Sequence, residues 1–261
     1  MKVIDLAPEH ERLYFVCLED WSEESREAGD HKARWFAGMK DRGLGVKLAL
    51  DDADRVGGMI QYVPIEYSPA LGRDLFFVLC IWVHGHKQGR GDFRGRGMGR
   101  ELLRAAEEDV RNRGAKGLAA WGMAVPVFMR ASWFRKHGYR TADRAGLKVL
   151  LWKKFHDQAE PPRWVESRSR PQPLPGKVAV TAFLSGWCPA MSMVAERARR
   201  AAAEFGDRVE FRLTDTGEPG AAIERRMSDA LYIDGRPVRT GPPPSIKSIR
   251  KKISRRVRRL G

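Results

Sequence analysis

Hydrophobic and polar positions switch between a period of two and a period near 3.6 along this chain, and the switches mark out its elements. Met1–Leu6 reads as a short strand, and Pro8–Trp21 and Asp30–Asp41 as helical stretches. Val46-Lys47-Leu48-Ala49-Leu50 and Val56–Val63 flank the acidic turn Asp51-Asp52-Ala53-Asp54, the pattern of an antiparallel hairpin. Leu75–Val83 is apolar without interruption, as in a strand covered on both faces. A glycine-rich loop follows, and Met98–Arg113 then sets Leu102, Leu103 and Ala106 on one helical face. Gly117–Trp121, Phe128–His137 and Leu147–Trp152 read as strand, short helix and strand. The order predicts an α+β sheet flanked by helices.

The pattern breaks near residue 157. Asp157–Arg163 and Arg168–Gly176 are rich in proline and charge, and proline both removes backbone donors and disfavours helix before it. This stretch reads as a semi-extended connector. Beyond it, Val178–Leu184, Met191–Phe205, Val209–Leu213 and Gly220–Ser228 alternate strand and helix. Leu231-Tyr232-Ile233 turns at Asp234-Gly235, a hairpin signal, into Pro237–Arg239, and Pro242-Pro243-Pro244-Ser245 precedes a closing helix Ile246–Leu260. The second half is therefore βαβαββα, of α/β character. The expected domains are 1–156 and 176–261, joined by a linker over 157–175. The halves share no spaced motif, so no internal repeat is read.

Composition narrows the class. With 43% hydrophobic and 31% charged residues in 261, the chain is that of a folded domain protein rather than a disordered one. No apolar run approaches the ~18 residues that span a bilayer, so no membrane partner is expected. The N-terminus meets Asp5 without a continuous apolar run, and Cys17, Cys80 and Cys188 are too few and too scattered for a disulfide framework. These features predict a cytoplasmic protein. The cysteines also lack His or Cys neighbours at ligand spacing, so no metal is expected. The formal charge is +15, and eight cations with no acid fall within Lys247–Arg259. Such a field attracts phosphates, nucleic acid or an acidic partner, and it equally suits a solvated helix face.

The sharpest chemical signal is Arg94-Gly95-Arg96-Gly97-Met98-Gly99-Arg100, placed between the most apolar strand and a well-patterned helix. Glycines let successive backbone N–H groups turn toward one point, and the helix N-terminus adds partial positive charge. Together they suit a pyrophosphate, with Arg94, Arg96 and Arg90 or Lys87 supplying direct charge. A dinucleotide-binding βαβ unit needs a strand–turn–helix start upstream and an acid about 20 residues on, and neither is present. A phosphate-loop lysine is missing too, because Arg100 follows Gly99.

The runs Cys80-Ile81-Trp82-Val83, Arg94–Gly99 and Trp133-Phe134-Arg135-Lys136-His137-Gly138-Tyr139 resemble the GNAT N-acetyltransferase family, whose glycine signature Arg/Gln-x-x-Gly-x-Gly/Ala matches Arg94 through Gly99. The resemblance covers about residues 1–156. It implies acetyl-CoA (or another acyl-CoA) as co-substrate, its pyrophosphate on Arg94, Gly95, Arg96, Gly97, Met98 and Gly99. It also implies that the backbone at Ile81 and Val83 pairs with the pantetheine arm. The approach Gly85–Phe93 is longer and more basic than in the family, either a grip for the adenosine 3′-phosphate or a mobile loop. The family's helix tyrosine and strand glutamate correspond here to Phe134 and Phe77, so neither proton-transfer residue carries over.

Acyl transfer to an amine still needs a neutral amine, a polarised carbonyl and a proton acceptor, and backbone donors with a water chain can serve. Local candidates for the proton path are Cys80, His84 and Glu66. Along an alternating strand Cys80, Trp82 and His84 share one face. Tyr62, Tyr67, Phe76, Trp82, Trp121, Phe128 and Trp133 either line an acceptor pocket or belong to the core, and Trp21, Trp35 and Phe36 fall where the family shapes acceptor choice.

In the second half, Ser185-Gly186-Trp187-Cys188-Pro189-Ala190-Met191 after its first strand resembles a thioredoxin-like domain. Met191 stands where a resolving cysteine would be, and no proline precedes the third strand, so an internal disulfide cannot cycle. The combination is similar to the YoaP-like acetyltransferases. Cys188 is read as a structural relic, a monothiol sensor or a partner-docking site. The expected function is direct transfer of an acetyl group to a primary amine of a small molecule or amino acid. The alternative is a catalytically weak protein that binds nucleic acid or an acidic partner through its basic closing helix.

Overall fold

The computed structural model describes residues 1–165, 170–217, 229–238 and 242–260. The chain divides into two compact units, Met1–Trp21 with Gly38–Val165, and Ser22–Ala37 with Glu166–Gly261. Residues 22–37, which the sequence boundaries leave in the first domain, group with the second unit. The expected helix Gly220–Ser228, residues 166–169 of the expected linker and Arg239 lie wholly or largely outside the described residues.

The first unit is built on a mixed sheet. Its strands are β1 (Lys2–Asp5), β2 (Gly45–Leu50), β3 (Val56–Pro64), β5 (Leu75–Val83), β6 (Gly117–Met123), β7 (Arg140–Ala145) and β8 (Lys148–Lys154), in the order β1-β2-β3-β5-β6-β8-β7. A small ladder pairs β4 (Ala70–Leu71) with β9 (Arg163–Trp164). Every neighbouring pair of the large sheet is antiparallel except β5–β6. That parallel pair requires a crossover, and the helix Met98–Asn112 (α4) supplies it. Its apolar face sets Met98, Leu102, Leu103, Ala106 and Val110 against Ile60 and Val78 of the sheet. The helix Ala131–Lys136 (α5) adds Ala131 and Phe134 to the same core.

The hairpin read at Asp51–Asp54 forms as expected. Asp51 accepts from the Ala53 and Arg55 amides and from the Arg55 guanidinium, which fixes the turn. The helix read over Pro8–Trp21 is shorter, a single 3₁₀ turn at Pro8–His10 and then Glu11–Phe15 (α1). It stops because Cys17 and Leu18 take left-handed angles, φ 50° and 66°. The Leu18 amide then closes back on the Leu13 carbonyl at 3.1 Å, and its side chain is fully buried. Two further short helices precede β2, Glu23–Arg26 (α2) and His31–Met39 (α3).

The helix read from Phe128 starts only at Ala131, because the preceding loop crosses β6 in close contact. A Cβ on Gly122 would fall 2.8 Å from the Ala131 Cα and 2.9 Å from the Met129 carbonyl, so only glycine fits. The strand β7 carries no hydrophobic alternation and escaped the reading.

The second unit has a four-stranded sheet of β10 (Val178–Leu184), β11 (Val209–Asp215), β12 (Ala230–Ile233) and β13 (Arg236–Val238), ordered β11-β10-β12-β13. β10 and β11 are parallel, and the other neighbours are antiparallel. Asp234 and Gly235 turn the hairpin with φ 48° and 68°, both left-handed as the two-residue turn demands. The helices Pro189–Ala203 (α6) and Ile246–Val257 (α7) bury Val194, Ala198, Ile249 and Ile253 with Val180 and Leu231. Ser245 caps α7 by accepting from the Ser248 amide at 3.2 Å. From the segment 22–37, Glu27 accepts two bonds from Arg197, at 2.9 and 3.2 Å, and pairs with Arg200.

Candidate functional site

The site begins where two strands part. β5 and β6 pair from Leu75↔Gly117 to Val78↔Ala120 and no further, so the remainder of each strand diverges. On its other side β5 stays paired with β3, but the register skips Leu79 between Tyr62↔Val78 and Gln61↔Cys80. This bulge changes the parity of the strand. Phe76 and Val78 pack toward α4 before it, and Ile81 and Val83 pack toward the same core after it. One bond spans the parting: the Trp121 indole N–H donates to the Leu79 carbonyl at 2.8 Å.

Beyond the open end lies the glycine loop. Gly95 and Gly97 have φ 76° and 83°, and Gly97 is the N-cap of α4 with no side-chain cap. The first amides of a helix have no intrahelical acceptor, so this 15-residue helix presents uncapped donors together with its positive end. Phe93 anchors the loop from below, 1% exposed. A Cβ on Gly57 would lie 2.4 Å from the Phe93 ring and 2.9 Å from the Met98 sulfur, so β3 must carry glycine there. A Cβ on Gly99 would lie 3.4 Å from Trp133 and 3.8 Å from Val83, which places the first turn of α4, the end of β5 and α5 together.

The basic side chains of the loop have partners already. Arg94 forks onto Asp92 at 3.0 and 2.7 Å, and this contact holds the Asp92 carboxyl well below the usual carboxylate range. The Arg96 guanidinium lies 5.2 Å from the Phe93 ring centre. The approach over Gly85–Phe93 is laced at several points. Gly85 bridges Asp92, the Phe93 amide donates to the His84 carbonyl, and Arg90 donates to the Val56 carbonyl and pairs with Asp20.

His84 is fully buried with both ring nitrogens engaged. The Trp21 indole N–H donates to Nε2 at 3.0 Å, so Nε2 is an acceptor and Nδ1 carries the proton that binds the Gly91 carbonyl at 2.7 Å. This is a neutral, latched imidazole. Cys80 is 6% exposed, near the buried Tyr14–Gln61 pair, whose hydroxyl donates at 2.6 Å. Burial pushes the Tyr14 hydroxyl far above its ordinary range, with Cys17 and Cys80 adding to the effect.

Glu66 is exposed in the turn after β3. Because Pro64 pairs with Phe76 and Gly58 with Val83, it lies at the opposite end of β5 from His84. At a rise of ~3.3 Å per residue that separation is on the order of 25 Å from His84 and about 13 Å from Cys80, so the structure does not join Glu66 to the other two candidates. Phe77 and Phe134 are buried, against Trp164 and against Trp133 and Tyr139 respectively.

Of the aromatics marked in the sequence, Tyr62 and Phe76 belong to the core, and the Tyr62 hydroxyl donates to Asp109 at 2.7 Å. Trp121, Phe128 and Trp82 instead form a wall beside the parting, with ring centres 5.9 and 5.8 Å apart. The wall continues through His86 to Trp21, at 6.4 and 5.8 Å. Two of its neighbours were missed in the sequence, His86 and Glu19. The Glu19 carboxylate lies 3.9 Å from His84 Nε2 and 4.0 Å from His86 Nε2. No spacing rule marks Glu19, because the left-handed pair Cys17–Leu18 is what brings it to β5. Among the described residues no cluster of three His, Cys, Asp or Glu side chains suits a metal ion, and no helix is long and apolar enough to cross a membrane.

No curated protein sequence matches the chain. The chain is similar to a crystal structure of aminoglycoside 6′-acetyltransferase type Ii, at 16% identity over 59% of this chain and 97% of that one, with a TM-score of 0.44. It is likewise similar to PaiA N-acetyltransferase from Thermoplasma acidophilum in complex with coenzyme A, at 18% identity over 59% of this chain and 100% of that one, TM-score 0.43. Ribosomal-protein-alanine N-acetyltransferase from Brucella melitensis gives the same identity, coverage and TM-score, 18%, 59% and 100%, and 0.43. The family profile described as Acetyltransferase (GNAT) family matches residues 7–139, just over half of the 261, and takes in the parted strands, the glycine loop and α4. The chain therefore belongs to the GNAT acetyltransferase family.

Proposed function

We propose that the first unit transfers an acetyl group from acetyl-CoA directly to a primary amine of a small molecule or amino acid. One observation carries this reading: β5 loses its β6 partner after Val78 beside an uncapped helix start opened by Gly95 and Gly97. Peptide groups on an unpartnered strand take an extended amide chain as they would another strand. Helix-start amides take linked phosphates. The donors fit the group, and Arg94, Gly95, Arg96, Gly97, Met98 and Gly99 would hold its pyrophosphate, with Ile81 and Val83 along its pantetheine arm. Acetyl-CoA supplies the activated acyl group when bound. The chain's own contribution is orientation, carbonyl polarisation by backbone donors and a route for one proton. His84 is latched, Cys80 is buried and Glu66 is remote, so we assign the proton to ordered water rather than to any of them.

For the second unit we propose a thioredoxin-like fold of the YoaP-like kind. Its support is a sheet in which the first strand lies between a parallel second and an antiparallel third, with Cys188 at the N-cap of α6. Met191 three residues on removes a dithiol cycle. We place the protein in the cytoplasm, because Cys17, Cys80 and Cys188 are too few and too scattered along the sequence for the disulfide framework of an oxidising compartment. The alternative reading, a nucleic-acid or acidic-partner binder, rests on the charge of α7 and on Phe134 and Phe77 standing at the two proton-transfer positions.

The test is calorimetric titration of the full chain with coenzyme A, followed by thiol release from acetyl-CoA with a panel of amines. Saturable binding that raises Tm, by about 2.7 kcal/mol of stability at 100 times Kd, supports the proposal. Absence of binding at millimolar coenzyme A overturns it.

A further inference from the structure

The exposed apolar side chains of the first unit are unevenly placed. Trp21, Val125, Val127 and Phe128 are 40%, 36%, 52% and 43% exposed, and the last three sit on the single loop between β6 and α5. Leu147, 57% exposed, adjoins that loop through its carbonyl, which accepts from the Ala124 amide. Folded chains rarely gather exposed hydrophobics in this way except where something binds.

The aromatic wall gives the patch a direction. One end is Trp121, bonded to Leu79 where β5 and β6 part. Phe128, Trp82 and His86 follow in steps of about one ring, and the other end is Trp21 with Glu19. Charge differs between the two ends. Asp20 is paired with Arg90 at 3.2 Å, whereas Glu19, 23% exposed at its side chain, faces two imidazoles and no guanidinium or ammonium among the described residues. Lys87 is exposed on the approach loop, and among the described residues the ion pairs of Glu19 do not include it. A surface with aromatic faces along its length and a carboxylate at its far end attracts a cation borne on an apolar body.

Resting on the acetyltransferase reading, we infer that the acceptor is an elongated amine with two cationic ends. One nitrogen reacts at the parting of the strands, the apolar body lies on Phe128 and Trp82, and Glu19 holds the second, unreacting cation. Glu19 is then a specificity residue. Three to five residues of β5 separate Leu79–Ile81 from His84, roughly 10–17 Å at ~3.3 Å per residue, which sets the separation of the two nitrogens.

The experiment uses the full chain saturated with coenzyme A and titrated calorimetrically with octane-1,8-diamine, octylamine and 8-aminooctanoate. The diamine should bind about fivefold to tenfold more tightly than octylamine, and the amino acid most weakly. Glu19→Gln should erase the diamine's advantage while leaving octylamine and coenzyme A affinities unchanged. Phe128→Ala should weaken diamine and octylamine alike. Steady-state kcat/KM values for the two amines should follow the same order. Equal affinities for the three compounds, a preference that survives Glu19→Gln, or a concentration-dependent dimer that protects Phe128 from solvent would each overturn the inference. Failure of coenzyme A itself to bind overturns the acetyltransferase reading instead, which separates the two.

Discussion

The indole N–H of Trp121 donates to the carbonyl of Leu79 at 2.8 Å across the point where β5 and β6 separate. Ladder bonds hold the strands together only as far as Val78, so this single side-chain bond fixes how the next peptide of β5 is presented. Trp121→Phe keeps an aromatic ring and removes the donor. A net hydrogen bond contributes about 1 kcal/mol, which in a unit of this size shifts Tm by roughly 2–4 °C. The expected result is that modest loss of Tm, with coenzyme A affinity reduced several-fold. A Tm loss with coenzyme A affinity unchanged would show that the bond has no part in the site.

The two glycines flanking Met98 should respond differently. Gly97 has φ 83° at the helix N-cap, where an L side chain costs ~1–2 kcal/mol and tilts the amides that follow. Gly99 has no positive φ, and its added Cβ would lie 3.4 Å from Trp133. Gly97→Ala should weaken coenzyme A binding by tenfold or more, and Gly99→Ala by less than about threefold. Equal losses in calorimetry would contradict the view that backbone conformation, rather than space, governs this loop.

His84 and Cys80 are predicted to hold structure rather than to move protons or acyl groups. His84→Gln removes the bonds to Trp21 and the Gly91 carbonyl, so the approach loop should loosen and Tm should fall. The shape of kcat/KM against pH should persist, with kcat down by less than tenfold. Cys80→Ala should keep activity within about threefold, since the thiol is 6% exposed. Acetylation of Cys80 detected by mass spectrometry during turnover would refute direct transfer.

Much of the fold follows from periodicity, because Leu75–Val83 and Met98–Asn112 satisfy one pattern throughout. The glycine loop was legible for a similar reason: Arg94–Gly99 is local, and its geometry follows from where glycine is required. The bulge at Leu79 was not, since a one-residue register skip leaves no mark in an unbroken apolar run. Nor was β7, whose Arg140–Ala145 is polar because it is an exposed edge. The aromatic wall was half visible. Trp82, Trp121 and Phe128 stood out by type, but Glu19 and His86 reach them only through the left-handed break at Cys17–Leu18 and the laced loop after β5.

In the second unit, Glu27 receives both Arg197 and Arg200. The hydrogen bond from Arg197 is the main cause that lowers the Glu27 carboxyl from 4.5 to about 2, with Arg200 assisting and burial opposing. A group whose pKa is depressed on folding contributes stability that is full above its unfolded value and disappears as pH falls toward the folded one. The contribution is therefore complete at pH 7 and declines below pH ~4.5, toward zero near pH ~2. Glu27→Gln should cost about 1.5–3 kcal/mol at pH 7, the range for hydrogen bonds to a charged group. The remaining contacts of Arg197, to the Pro244 carbonyl at 3.2 Å and Glu24 at 3.3 Å, limit the loss. Urea denaturation of wild type and variant should show a gap at pH 7 that narrows by pH 3. Other carboxylates titrate in both proteins and cancel in the difference, so a gap of constant size would mean that the Glu27 charge is not what joins 22–37 to α6.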